Sequence, residues 1–151
     1  MNLFLLRHGD ALPGSPDEAR KLSQKGVKQI KKMAKVLIKT DVSFDLILSS
    51  PLIRAMQTAE IVADKFEGKI ETSDVLSPGC KIEVLFQELL KHNNNSVLIV
   101  GHEPDFGHII GNIIGTGHPI PLRKGGLVLI DIEDPNIQKG TLVWFLDPDI
   151  L

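Results

Sequence analysis

The sequence contains no tyrosine, one tryptophan and one cysteine, Cys80, among its 151 residues. A single cysteine excludes an intramolecular disulfide and a cysteine-rich zinc site, and it is typical of a reducing compartment. Aromatic residues make up 5% of the chain, too few for the stacking platforms that bind single-stranded nucleic acid. We therefore expect a cytoplasmic protein without disulfides.

Long apolar runs and an excess of one charge are also missing. The run Leu3–Leu6 before Arg7 is shorter than a signal-peptide core, and no segment approaches the roughly 18 apolar residues of a membrane span. A net charge of -2 and a pI of about 6.2 lack the basic excess of a nucleic-acid-binding surface. We expect neither membrane nor nucleic acid as a partner, and the length suits a single domain over residues 1–151.

Apolar segments that read as strands alternate with segments of helical periodicity. Strands are predicted over Asn2–Leu6, Phe44–Leu48, Lys69–Thr72, Ser96–Val100, Leu127–Ile132 and Thr141–Leu146. Helices are predicted from the N-cap Ser23 to about Lys39, from about Pro51 to Lys65, over Ile82–Lys91, and from about Glu103 or Pro104 to Ile114. The alternation predicts an α/β fold, a single three-layer α/β/α domain with a mostly parallel sheet. The last two strands are expected to form an antiparallel hairpin at its edge.

Three polar clusters each follow a predicted buried strand. They are Arg7–Gly9, Ser50–Pro51 with Arg54, and Gly101–His102. Ligands of open α/β sheets bind at the carboxyl ends of the strands, so the clusters are expected to meet in one crevice. Two guanidiniums suit a phosphate or a similar anion, and a helix that starts near Glu103 would add backbone N–H groups.

A histidine in such a crevice can serve as a nucleophile. The neighbouring arginines are expected to oppose protonation of His8, which leaves an imidazole nitrogen free to accept a phosphoryl group that water later releases. The chain has no HExxH helix, EF-hand loop, P-loop or GxSxG elbow, so we predict chemistry without a metal or another cofactor.

Four ordered motifs resemble those of the histidine phosphatase superfamily, which has the phosphoglycerate-mutase-like fold. Leu5–Gly9 is similar to its strand and RHG signature, and Leu22–Gly26 to its L-[ST]-x-x-G helix start. Ser49–Ala59 resembles its S-P-x-x-R-x-x-x-T-A segment, and Val100–His102 its second-histidine motif. The short length and the segments Arg7–Ala11, Arg20–Ser23 and Gly101–Pro104 resemble the SixA branch of small phosphohistidine phosphatases.

This resemblance implies roles for particular residues. His8 would be the phosphorylated nucleophile, and Arg7, Arg54 and His102 would hold the phosphoryl group, with Arg20 as a fourth contact. The implied substrate is phosphohistidine on a protein, such as a histidine-containing phosphotransfer domain in signal transduction.

One departure bears on the substrate. Larger family members carry an acidic proton donor on an insertion, whereas the matching stretch Asp74–Cys80 has no inserted subdomain. Asp10 is a possible acid, a residue that hydrogen-bonds to the catalytic residues without touching the substrate, or a capping residue of its loop, and the sequence does not decide among them. The alternatives are a phosphatase of small phosphate esters and a phosphate-binding module without turnover.

Overall fold

The computed structural model describes residues 1–151 and is centred on one six-stranded sheet. Its strands are β1 (Asn2–Arg7), β2 (Leu46–Ser49), β3 (Ile70–Thr72), β4 (Ser96–Gly101), β5 (Leu127–Asp131) and β6 (Thr141–Leu146). They lie in the order β3-β2-β4-β1-β5-β6. The first four in that order pair in parallel, and β5 and β6 are antiparallel. The predicted mostly parallel sheet with an antiparallel edge is confirmed.

Two pairs of helices cover the two faces of the sheet. They are α1 (Gln24–Ile38), α2 (Ile53–Ala63), α3 (Ile82–His92) and α4 (Asp105–Ile114), with short 3-10 turns at Asp17–Ala19, Asp74–Leu76 and Pro148–Ile150. The first pair packs its apolar side chains with Phe4 and Leu6 of β1, and the second pair with Leu3 and Leu5. Successive residues of a strand point to opposite faces, so β1 contributes to both cores and is apolar from Leu3 to Leu6. None of the helices combines the length and the apolarity that a bilayer crossing requires.

The start of α1 was predicted correctly, whereas that of α2 was not. Ser23 caps α1 as predicted, because its side chain accepts a hydrogen bond from the Gly26 amide at 3.0 Å. The prediction that Pro51 begins α2 is wrong, since the helix begins at Ile53. The Ser50 hydroxyl accepts from the Leu52 amide at 3.3 Å, which holds the chain in a turn across Pro51 before the helix starts.

The buried face of α1 does not include all of its apolar residues. Ile38 is 48% exposed, whereas Met33 is fully buried. The buried stripe runs through Ile30, Met33, Ala34 and Leu37 at helical spacing, and the last residue of the helix lies beyond it.

The parallel strands β1, β2 and β4 are neighbours and end together. Arg7 pairs with Gly101 across β1 and β4, and Ser49 pairs with Val100 across β2 and β4. The polar residues that follow these strands therefore emerge at the same edge of the sheet.

Candidate active site

A cavity of about 440 Å³ opens at this edge. Its lining contains all five residues predicted to contact a phosphoryl group, and it also contains two carboxylates and one lysine; the full lining is Arg7, His8, Ala11, Asp17, Arg20, Arg54, Pro78, His102, Glu103 and Lys124. A larger cavity of about 620 Å³ between α1 and α2 contains none of the predicted residues. The smaller cavity is the candidate site, because it is the one that brings the predicted chemical groups together.

His8 lies at the buried side of the cavity, 7% exposed. Its Nδ1 is 2.7 Å from the carbonyl oxygen of Gly9, and a carbonyl can only accept, so Nδ1 carries the hydrogen. Nε2 is left with its lone pair and accepts a hydrogen bond from Arg54 Nε at 3.2 Å. The backbone thus selects the tautomer in which Nε2 is the basic, nucleophilic atom.

His8 is neutral over the physiological range. Burial lowers its pKa to about 4, the Gly9 hydrogen bond opposes the shift, and the charges of Arg54, Arg7 and Arg20 lower it further. The arginines act in the predicted direction, but loss of solvent is the larger cause.

His102 lies against His8, with 5.2 Å between the ring centroids. Its Nε2 is 2.7 Å from the Ser50 hydroxyl oxygen, and its buried Nδ1 has no partner. Burial lowers the pKa of His102 to about 3, and His8 and Arg54 lower it further. The ring is therefore neutral, and one of its nitrogens is available to a bound group.

Arg7 and Glu103 are both attached to the backbone of Leu122. Arg7 Nη1 donates to the Leu122 carbonyl at 2.9 Å, and Glu103 Oε1 accepts from the Leu122 amide at 3.0 Å. Arg7 Nε is buried without a partner. Burial raises the pKa of Glu103, and the hydrogen bonds from the Leu122 and Gly107 amides oppose that shift. Glu103 therefore supports the loop that holds Arg7.

Sequence reasoning missed Asp17, which joins two of the cavity's arginines. Arg54 donates from Nη1 to the Asp17 carbonyl at 2.9 Å and from Nη2 to Oδ2 at 3.1 Å. Arg20 Nη1 donates to Oδ1 at 3.0 Å. These hydrogen bonds from Arg20 and then Arg54 lower the pKa of Asp17, so it is a carboxylate at neutral pH. The one indication of this ion pair in the sequence was that Asp17 lies three residues before Arg20.

Asp10 lies behind the cavity and is absent from its lining. Its carboxylate accepts from Lys124 Nζ at 2.7 Å and from the Ser23 hydroxyl at 2.6 Å. The hydrogen bond from Lys124, followed by that from Ser23, lowers the pKa of Asp10. An ionised carboxylate with both oxygens occupied ties the nucleophile loop to the start of α1, and it has no proton to give at neutral pH.

Backbone contacts fix the loop that carries His8. A Cβ at Gly9 would meet the Gly26 carbonyl oxygen at 2.8 Å, and a Cβ at Gly26 would meet the Asp10 carbonyl oxygen at 2.0 Å. The loop and the first turn of α1 can approach this closely because both positions are glycine. From the other side, the Gly125 amide donates to the His8 carbonyl at 3.0 Å.

The structure contains no group of three or more His, Cys, Asp and Glu side chains placed to hold a metal ion. Cys80 is outside the cavity lining, and burial raises the pKa of its thiol to about 12. The thiol is therefore protonated at neutral pH and is not a competing nucleophile.

Comparison with known proteins places this geometry in a family. Residues 3–77 match the model of the histidine phosphatase superfamily (branch 1). The chain is 36% identical over 135 residues to a phosphohistidine phosphatase SixA homolog of Haemophilus influenzae, covering 80% of this chain and 81% of that protein. It is 27% identical over 154 residues to phosphohistidine phosphatase SixA of Escherichia coli K12, covering 98% and 94%.

Solved structures agree with the sequence matches. The protein histidine phosphatase SixA complexed with tungstate superposes with a TM-score of 0.89 at 28% identity, over 99% of both chains. A SixA described as a putative phosphohistidine phosphatase, from Agrobacterium tumefaciens, superposes with a TM-score of 0.83 at 25% identity, over 97% of both chains. The predicted resemblance to the SixA branch and the phosphoglycerate-mutase-like fold are confirmed. The chain belongs to the histidine phosphatase superfamily, and its activity is that of a phosphatase.

Proposed function

We propose that the protein is a protein phosphohistidine phosphatase that works through a phosphorylated His8. The observation that carries the proposal is the Gly9 carbonyl on His8 Nδ1, which leaves Nε2 as the basic nitrogen, beside Arg54 in a cavity lined by arginines. The similarity to phosphohistidine phosphatase SixA supports the substrate class.

In the first step His8 Nε2 attacks phosphorus and forms a P–N bond while the bond to the leaving group breaks. Arg7 and Arg54 bind the phosphoryl oxygens, and their fixed charges stabilise the transition state without reorganisation of solvent. With the Ser50 hydroxyl donating to His102 Nε2, the proton of His102 lies on the unpartnered Nδ1, which donates to a third oxygen. Water then attacks the phosphohistidine, releasing phosphate and restoring neutral His8.

The carboxyl groups near the site favour phosphohistidine over alkyl esters. An alkoxide leaving group needs a proton, and general acid catalysis is typically worth about 10²–10⁴-fold. Asp10 is ionised and bound to Lys124, Asp17 is ionised between two arginines, and Glu103 is held by backbone amides. A phosphohistidine ring that solvent has protonated on its other nitrogen leaves as neutral imidazole without a general acid, and nitrophenolate leaves as a weak base.

The test compares a phosphohistidine-bearing phosphotransfer domain with p-nitrophenyl phosphate and a sugar phosphate. We expect turnover of the first two and poor kcat/KM on the third. Comparable kcat/KM on the sugar phosphate would favour the small-ester alternative, and binding of phosphate without any turnover would favour the non-catalytic module.

His8→Ala should abolish turnover while the melting temperature stays within a few degrees, because the side chain is in a loop outside both cores. The matched control is His108→Ala, on an exposed position of α4, which should keep full activity. Turnover by His8→Ala at the wild-type rate would refute the mechanism.

A further inference from the structure

We propose that Asp17 is a specificity-determining residue, whose carboxylate selects phosphorylated groups that leave as a protonated heterocycle over phosphate monoesters. The proposal rests on the phosphohistidine phosphatase function proposed above and names the residue that would set that preference.

Asp17 is far more exposed to solvent than the catalytic side chains around it. His8, Arg54 and His102 are 7%, 6% and 3% exposed, whereas the Asp17 side chain is 56% exposed. The nucleophile is thus at the buried side of the cavity and Asp17 is at its opening. Because attacking and leaving atoms lie roughly in line across phosphorus, a leaving group must face the opening.

The negative charge of the Asp17 carboxylate affects the two kinds of substrate in opposite ways. An anion placed among the arginines that bind phosphate repels a phosphate dianion and weakens the binding of any monoester. A phosphohistidine ring protonated on its second nitrogen carries a positive charge beside its phosphoryl group. Each Asp17 oxygen accepts one hydrogen bond from an arginine, which leaves a lone pair for the N–H of such a ring.

The reaction balances without another reactant. His8 Nε2 forms the new P–N bond, and the electron pair of the old P–N bond returns to the substrate nitrogen. The ring leaves as neutral imidazole, with its proton still on the second nitrogen, where Asp17 accepts the hydrogen bond. Asp17 itself gains and loses no proton.

Other carboxylates of the site are not placed for this role. Both oxygens of Asp10 are bound behind the cavity, by Lys124 and Ser23. Glu103 is held by the Leu122 amide on the loop that also anchors Arg7.

The experiment measures kcat/KM of Asp17→Asn on the phosphohistidine protein and on p-nitrophenyl phosphate. The asparagine keeps the backbone carbonyl that binds Arg54 and one side-chain oxygen, so it removes charge with little change in shape. We expect kcat/KM to fall on phosphohistidine and to rise on the aryl phosphate. The ratio of the two should fall by about fivefold, which corresponds to the upper end of the range for one solvent-exposed charge pair. The matched control is Glu18→Gln, an exposed acid on the same 3-10 turn, which should leave the ratio unchanged.

A pH profile separates ring protonation from simple docking. If Asp17 accepts a hydrogen bond from the ring N–H in the bound complex, the alkaline limb of kcat on phosphohistidine should move down by about 0.7 pH unit in Asp17→Asn, which is the same free energy expressed as a pKa. An equal loss on both substrates, or an unmoved limb, would show that Asp17 only positions Arg54 and would overturn this inference alone. A wild-type protein that releases no phosphate from phosphohistidine would instead overturn the proposed function.

Discussion

As the pH falls, the two buried histidines should make the protein lose stability at pH values well above those at which its carboxylates titrate. In the unfolded chain a histidine has a pKa of about 6.5, whereas in the folded protein burial lowers the pKa of His8 to about 4 and that of His102 to about 3. At pH values between the folded and the unfolded pKa, the unfolded state binds more protons than the folded state. The stability that the neutral histidines provide is therefore fully present above the unfolded pKa and lost as the pH falls towards the folded values.

The size of the loss follows from the same numbers. Each histidine lowers the free energy of unfolding by about 2 kcal/mol between pH 7 and pH 5, so the two together lower it by about 3–4 kcal/mol. That is a large share of the roughly 5–15 kcal/mol by which a domain is stable. The other titrating groups are present both in the wild type and in a variant that lacks only these two histidines, so their contributions cancel when the two proteins are compared.

Urea unfolding at pH 7, 6 and 5, in buffers without phosphate, measures this loss. The variant His8→Asn with His102→Gln removes both titrating rings while keeping polar atoms near Nδ1 and Nε2, and its stability should lack the 3–4 kcal/mol dependence. His108→Asn, at an exposed position of α4, should retain it. A wild-type slope equal to that of the double variant would refute the argument that these rings are buried and neutral.

Three further predictions concern the cavity. Tungstate or phosphate at about 100 times its Kd should stabilise the wild type by about 2.7 kcal/mol, which is a shift of roughly 5–10 °C in melting temperature. Arg54→Ala should lose most of this stabilisation. A tungstate-soaked crystal with density only outside the cavity would contradict the assignment of the cavity as the phosphate site. Treatment with EDTA should leave activity unchanged, whereas a large loss would revive a metal-dependent mechanism. Ser50→Ala should lower kcat about tenfold, because it removes the hydrogen bond to His102 Nε2 and one lost hydrogen bond to a catalytic group has about that effect. Ser49 is also fully buried, and Ser49→Ala serves as the control that should lower kcat less.

Much of the fold and most of the candidate site could be read from the sequence, because strand ends and charged residues leave local patterns. The run before Arg7 predicted β1, and its end predicted where His8 and His102 meet. The start of α2 was missed because a hydrogen bond from the Leu52 amide to the Ser50 side chain sets it.

Asp17 was missed for a related reason. Its loop has no periodicity, and its role depends on Arg54, 37 residues away in the chain. The side chain of Asp10 could not be assigned from sequence because its partner Lys124 is 114 residues distant.

The strand order has a consequence for when the active site can form during synthesis. β1 is made first, yet its two neighbours in the sheet, β4 and β5, do not begin until Ser96 and Leu127. A ribosome that has released residues 1–77, with Arg7, His8 and Arg54 among them, has made a central strand with no partner on either side. Two long loops must close before the nucleophile loop is held, and such closures are slow to form. The nascent chain must therefore keep an apolar strand unpaired until β4 and β5 emerge, and it is during this interval that a chaperone would protect it from aggregation.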